Sequence, residues 1–131
     1  MSDDSLFGDV IFGYSRAQAI EDGVLVDVSA FAKTFFKYPV AVTCALWELL
    51  EVKPDPRLYA DETYLTKLQD RTRSNLQGML LSFLRSLRKQ ANKDMLIFSG
   101  LCNGASVSLK AVCGPGDDSE PVVTIMFEHE D

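Results

Sequence analysis

The residues best suited to nucleophilic chemistry are three cysteines and one histidine, at Cys44, Cys102, Cys113 and His129. A Cys–His pair activates a thiol only when the two side chains come within about 3 Å of each other. In the strands predicted for the last third of the chain, His129 lies some 25–30 Å from Cys113 and about 9–10 Å from Cys102. The sequence therefore assigns no catalytic residue and leans away from an enzyme.

Carboxylates cluster in a glycine-rich segment, residues 113–120, where Asp117, Asp118 and Glu120 could offer oxygen ligands to a hard cation. Their spacing matches no EF-hand loop, and turn propensity alone explains the Gly, Pro, Asp and Ser residues there. The glycines precede a predicted strand rather than a helix, so no helix N-terminus is available for a phosphate. We therefore predict neither a metal nor a cofactor.

Polar residues around this segment keep a small-ligand or enzyme site open as the alternative. Asp27 is the best candidate, because it interrupts an apolar strand and would need a polar partner if it were buried. The other interpretation places it on the exposed face of an edge strand. The candidate binding residues are Arg16, Gln18, Asp27, Cys113, Asp117 and Asp118.

Charge is segregated along the chain, although the net charge is only −6. Residues 1–65 and 94–131 are acidic blocks, whereas residues 66–93 form a basic block with a single acidic residue. Such a basic helix either binds an acidic partner or packs beside acidic elements of its own domain. The candidate partner-binding residues are Arg71, Arg73, Arg85, Arg88 and Lys89.

The class of partner is constrained by what accompanies the basic block. Lysine and arginine can bind the phosphates of nucleic acid, but no helix-turn-helix, zinc-finger or RNA-binding aromatic motif is present. The acidic blocks could instead mimic DNA, although acidic surfaces are common in proteins. The longest apolar segment is too short to cross a bilayer, which takes about 20 residues. We expect a protein partner or self-association, and no membrane partner.

The first elements are predicted from capping and turn signals. A capping box that begins at Ser15 predicts a short helix, and Gly23 can end it in the left-handed conformation. Residues 24–28 form a β-branched strand. Ser29 then caps a second helix over residues 30–36.

Longer helices are predicted in the middle of the chain. Residues 40–52 are apolar almost all round, which is typical of a buried helix on which Trp47 is a core residue. Residues 62–91 keep a helical period, but a helix about 45 Å long is awkward beside an expected radius of gyration of about 14 Å. We therefore predict two helices there, over residues 62–69 and about 73–91.

The last third of the chain is predicted to be all strand. Residues 94–101 and 105–112 flank Asn103 and Gly104, a pair that favours a type I′ hairpin turn. Residues 121–127 add another alternating strand after the glycine-rich segment. Together with the strand before Ser29, they predict an α+β fold whose helical N-terminal two-thirds pack on a mostly antiparallel sheet.

Length and composition fit an ordinary globular core. The chain has 131 residues, of which 47% are hydrophobic and 24% charged, as expected for one domain. We expect a single α+β domain over residues 1–131, with residues 1–10 as a flexible N-terminal tail. The acidic N-terminus lacks the features of a secretory signal, and three cysteines cannot all pair, so we expect a cytoplasmic protein.

Two stretches carry a resemblance to a known family: residues 14–29 (YSRAQAIEDGVLVDVS) and residues 109–126 (LKAVCGPGDDSEPVVTIM), with residues 38–43 (YPVAVT) between them. Together they resemble a family of small uncharacterised bacterial proteins, often encoded on plasmids, phages or other mobile elements. The resemblance implies a bacterial cytosolic protein of unassigned activity, and it offers no catalytic residues to carry over. We therefore expect an accessory or regulatory protein that acts through protein–protein interaction.

Overall fold

The computed structural model describes residues 14–90 and 94–130, so the tail predicted over residues 1–10 lies outside it. Helices and strands alternate in the first part, and one long helix precedes three strands in the second. The helices are α1 (Arg16–Glu21), α2 (Ser29–Ala32), α3 (Cys44–Leu50) and α4 (Glu62–Lys89), with a 3₁₀ turn at Pro56–Leu58. The strands are β1 (Leu25–Asp27), β2 (Val40–Thr43), β3 (Met95–Cys102), β4 (Ala105–Pro115) and β5 (Pro121–Phe127).

These strands form one sheet in the order β1-β2-β5-β4-β3, so that β1 and β3 are its two edges. β2 and β5 run parallel, and the other neighbouring pairs are antiparallel. Asn103 and Gly104 have φ angles of 51° and 83°, the positive values that a type I′ turn requires. The α+β class, the mostly antiparallel sheet and the C-terminal strands are thus confirmed.

The helix predicted over residues 40–52 is wrong in its first turn, where β2 occupies Val40–Thr43. Val40, Ala41 and Val42 are completely buried, because helices cover both faces of this central part of the sheet. A strand buried on both faces is as uniformly apolar as a buried helix, so periodicity does not separate the two. The Thr43 hydroxyl accepts a hydrogen bond from the Leu46 N–H and begins α3.

The division of residues 62–91 into two helices is also wrong, because α4 is one helix of 28 residues, about 42 Å long. The helix is longer than the sheet beneath it, and each half has a different partner. Phe83 in the second half packs on Phe98 of β3, with ring centroids 5.9 Å apart. The first half is held by the loop after α3, since the Thr72 and Tyr64 hydroxyls accept hydrogen bonds from backbone N–H groups there.

The helix predicted over residues 30–36 is shorter, and Ser29 does not cap it. α2 spans Ser29–Ala32, and the Ser29 hydroxyl instead bonds to the backbone N–H and C=O of Val40. The side chain therefore ties α2 to β2. The Ser15 half of the predicted capping box is confirmed, since its hydroxyl accepts a hydrogen bond from the Gln18 N–H, whereas the Gln18 amide donates to Asp22.

The hydrophobic core lies between one face of the sheet, called here the inner face, and helices α2, α3 and α4. Burying each large apolar side chain there contributes about 1.5–3 kcal/mol. Trp47 is only partly buried and sits at the margin of this core. The largest fully buried side chains include Leu46, Leu50, Met79, Leu80, Phe83, Leu96, Leu109 and Ile125.

Candidate functional site

Two predicted binding residues from distant parts of the chain meet at the start of α1. The Asp117 carboxylate accepts hydrogen bonds from the backbone N–H groups of Arg16 and Ala17, at 2.8 and 3.0 Å. These N–H groups are in the first turn of α1 and have no partner within the helix. The hydrogen bonds from Ala17 and Arg16 hold the pKa of the Asp117 carboxyl below its usual value. The loop after β4 thus caps a helix about 100 residues away in sequence.

The Arg16 guanidinium also attaches α1 to β5. We call the contacts of Arg16 and Asp117 between α1 and β5 the joint. Its Nη1 donates to the Thr124 hydroxyl at 2.7 Å, and its Nη2 donates to the Val123 carbonyl at 2.9 Å. Partial burial lowers the pKa of Arg16, and the negative charges of Asp27, Asp117 and Glu120 oppose that effect. The donors and acceptors of this cluster are occupied by one another, so the arrangement holds α1 on β5.

The remaining predicted ligand residues lie apart from this joint. The Gln18 amide donates to the Asp22 carboxylate at 3.0 Å. Cys113 is half-buried against the core on the inner face, and burial raises the pKa of its thiol. Asp118 is exposed in the turn. The six candidate residues therefore do not line one pocket.

Asp27 lies on edge strand β1, exposed, and its carboxylate accepts a hydrogen bond from the Ser29 N–H at 2.9 Å. It also lies at the rim of a groove of about 520 Å³ between α2, α3 and α4. The apolar walls of the groove include Phe31, Trp47, Leu65, Leu68 and Leu76, and its polar rim includes Asp27, Glu51, Gln69 and Arg73.

The groove could not be found from sequence, since Trp47 was predicted as a core residue and the other walls come from three separate helices. The only sequence pattern related to the groove is the pair Trp47 and Glu51. These residues are four positions apart, so they lie on the same side of α3, with Glu51 at its C-terminal end. That pattern is common on ordinary amphipathic helices. The groove exists only because the first half of α4 projects past the sheet.

The predicted basic helix divides into two sides. Successive residues of a helix turn by about 100°, which places four predicted residues and Lys67 within an arc of about 100°. We call the five cations the basic face, and all are exposed: Lys67, Arg71, Arg85, Arg88 and Lys89. Asp70 lies within the same arc and is also exposed. Arg73 points to another side of α4 and lines the groove.

The charges of the basic face are not neutralised by the described parts of the chain. Within residues 14–90 and 94–130, the ion pair within 4 Å joins Arg57 and Asp55, and none involves α4. Both interpretations of the basic block predicted from the sequence concern these charges, and within the described ranges no ion pair of this kind ties α4 to an acidic element.

The Cys–His pairs are separated in the structure as well. Cys113 pairs with Val123 on β5, and His129 lies six residues later in the chain, beyond the end of that strand. The His129 ring stacks on Phe127 with centroids 5.5 Å apart. Cys102 is buried in the core, and desolvation raises the pKa of its thiol to about 11. It is therefore protonated at neutral pH and a poor nucleophile.

Fold and surface together define an α+β fold in which α2, α3 and α4 cover one face of a five-stranded mixed sheet, and the long helix α4 presents a row of exposed cations. None of the helices in the described ranges is long and apolar enough to cross a membrane. A family model for a family of unknown function, DUF6573, matches residues 4–131, and the chain belongs to that family. No curated protein and no solved structure matches the chain.

Proposed function

We propose that the protein is an accessory or regulatory protein that binds an acidic surface of a partner protein through the basic face of α4. The observation that carries this proposal is a row of five exposed cations without an ionic partner among the described residues. From Lys67 to Lys89 the row extends about 33 Å. That length suits a protein interface rather than a small-molecule contact.

Electrostatics supports an acidic protein as the partner. The chain as a whole carries a charge of −6, so a long anionic polymer such as DNA, which extends beyond the basic face, is also repelled by the acidic residues elsewhere on the chain. A patch of positive charge on an acidic protein favours a partner with a matching acidic patch, and it steers the encounter. Reduced cysteines and the family resemblance support a setting in the bacterial cytoplasm, in a protein carried by mobile elements.

The test compares two pairs of charge reversals that alter the net charge equally. Arg85→Glu with Lys89→Glu changes the basic face, whereas Lys33→Glu with Lys53→Glu changes exposed lysines elsewhere. The probe is a fluorescently labelled polyglutamate peptide, measured by anisotropy at low and moderate salt. We expect the first pair to weaken binding at least about tenfold and the second pair to have little effect.

Two results would overturn the proposal. In one, both pairs of reversals weaken binding equally, so that only net charge matters. In the other, a labelled DNA duplex binds more tightly than the peptide and with the steeper dependence on salt, which identifies a nucleic-acid surface.

The groove supports a second candidate function, the binding of a small amphipathic molecule. Its aromatic walls Phe31 and Trp47 suit an apolar ring, and Arg73 at the rim suits an anionic group. Trp47 is the only tryptophan of the chain, so its fluorescence reports occupancy of the groove directly.

Anilinonaphthalene sulfonate, an anionic aromatic dye, is a suitable probe for this second function. We expect Arg73→Glu to weaken dye binding, and Arg88→Glu, an equal charge change on the basic face, to leave it unchanged. If neither substitution alters the Trp47 fluorescence titration, the groove does not bind this class of ligand.

A further inference from the structure

The outer edge of β3 is an open line of backbone hydrogen-bonding groups. The Asp94 carbonyl accepts a hydrogen bond from the Cys113 N–H, so even-numbered residues of β3 direct their backbone toward β4. The odd-numbered residues Met95, Ile97, Ser99 and Leu101 therefore direct theirs away from the sheet. In residues 14–90 and 94–130, no other backbone group hydrogen-bonds to them.

β3 lacks the features that usually protect such an edge. It is eight residues long and contains neither a charged residue nor a proline, although edge strands commonly use both to prevent pairing with other chains. Met95, Ile97 and Leu101 also expose 50%, 46% and 57% of their surface on the outer face of the sheet. The edge therefore combines unpaired backbone with an apolar strip.

α4 forms a shelf above this edge. A Cβ placed on Gly78 would lie 3.7 Å from the Leu101 carbonyl oxygen, one of the groups that point away from β4. This contact shows which side of α4 overhangs the open edge. Along that side the spacing of three and four residues gives small residues in the middle and cations at both ends: Arg71, Ser74, Gly78, Ser82, Arg85 and Lys89.

We propose that an extended acidic segment of the partner adds to β3 as a sixth strand, beneath this shelf; the inference rests on the proposed function of the basic face. Side chains of an added strand alternate between the two faces. Those beside Met95, Ile97 and Leu101 would be apolar, and those beneath α4 would be carboxylates that reach Arg85, Lys89 or Arg71. Because Gly78 lies close to the Leu101 carbonyl, the added strand would pair with the backbone groups of Met95, Ile97 and Ser99.

A second copy of this chain is a poorer occupant of the edge. Antiparallel pairing of β3 with its own copy would bring two basic faces side by side, because α4 lies over β3 in each copy. Like charges brought together in this way oppose association. An acidic segment gains both the backbone hydrogen bonds and the charge pairing.

The experiment uses the full chain and a labelled peptide of about seven residues that alternates valine and glutamate, long enough to span the open positions of β3. Ser99→Pro removes an N–H from the open edge while leaving the pairing with β4 intact, as proline is tolerated at such positions. Ser99→Thr is the matched control, because it keeps the N–H. We expect proline to weaken binding at least about tenfold and threonine to have little effect.

A second readout does not depend on the folding of a variant. The same peptide methylated on alternate backbone nitrogens keeps its charges but cannot pair with β3 along that edge. We expect it to bind at least about tenfold more weakly to the unaltered protein. We also expect the unmodified peptide to slow amide hydrogen exchange at Met95, Ile97 and Ser99.

The outcomes separate this inference from the proposed function. If Arg85→Glu with Lys89→Glu weakens peptide binding but proline and N-methylation do not, strand addition is wrong and the basic face alone binds the acidic partner. If none of these changes matters and polyglutamate also fails to bind, both proposals are wrong. If sedimentation shows a dimer that the peptide dissociates, a second copy occupies the edge and the inference is overturned.

Discussion

The charged residues at the contact between α1 and β5 and those on the basic face of α4 differ in whether the fold gives them partners. At the joint between α1 and β5, Arg16 and Asp117 form hydrogen bonds with backbone groups and with Thr124. On the basic face of α4, exposed cations have no ionic partner in the described ranges. A charged residue therefore indicates a binding partner only when its own fold supplies no hydrogen-bonding or ionic partner for it. The first region should therefore govern stability, and the second should govern binding.

The largest expected effect on stability comes from Arg16→Met, which keeps the hydrocarbon stem but removes the guanidinium. The charge-assisted hydrogen bonds to the Thr124 hydroxyl and to the Val123 carbonyl are lost, so we expect a loss of about 2 kcal/mol in the free energy of unfolding. Urea unfolding followed by Trp47 fluorescence measures it. Arg85→Met is the control, expected to change stability by less than about 0.5 kcal/mol. Equal losses for both would refute the contrast between the regions.

Asp117→Asn should change how the stability of the protein depends on pH, because Asp117 belongs to the same joint. The lowered pKa of the folded state means that the carboxylate stabilises the fold above its unfolded pKa of about 4, and that this contribution is lost as pH falls through the lowered value. We expect the variant to be less stable than wild type at neutral pH, with the difference shrinking below about pH 4. Urea unfolding across this range measures it.

The neighbouring substitution Asp118→Asn is the matched control for this pH dependence. Asp118 is exposed, and its carboxylate makes no hydrogen bond to α1 in the described structure. A difference from wild type that shrinks in the same way for Asp118→Asn would mean that general loop charge, rather than the cap on α1, is responsible.

Ser15→Ala separates the local cap of α1 from the remote cap. The Ser15 hydroxyl accepts a hydrogen bond from the Gln18 N–H, and the loss of such a cap typically costs about 1 kcal/mol. We expect this smaller loss in the same unfolding experiment. A loss as large as that of Arg16→Met would show that α1 is held mainly by its own sequence.

The smallest effect on stability is expected for Arg85→Glu combined with Lys89→Glu. Exposed residues without ionic partners contribute little to folding, so we expect the unfolding free energy to change by less than about 0.5 kcal/mol. Binding of the acidic peptide should nevertheless fall strongly. A marked loss of stability would mean that these cations are neutralised within the fold after all.

Local signals predicted local structure well. Ser15 caps α1, Gly23 follows it with a φ of 80°, and Asn103 with Gly104 forms the hairpin turn. The failures concern elements defined by remote neighbours. Whether residues 40–43 form a strand or a helix depends on pairing with β5, whose residues lie about 80 positions later.

The candidate site was predicted in part. The sequence identified Arg16 and Asp117 as candidates. It did not show that Asp117 would bind the start of α1 and that Arg16 would bind β5, so that both use their polar groups within the fold. It named the basic residues of α4, but the predicted break between residues 69 and 73 removed the angular relation between Arg71 and Arg85. Without that angular relation, the sequence could not show that Arg73 lies at the groove while the other predicted cations lie together on the basic face.

The sequence by itself determined the α+β class, the caps and turns, and the presence of a concentrated basic segment. These follow from hydrophobic periodicity and from backbone preferences that act over a few residues. Only the tertiary structure decided which charges are satisfied, that β3 is an open edge, and that α4 overhangs it. Such properties depend on strand order and on the neighbours of each side chain, which are set by packing between segments far apart in the chain.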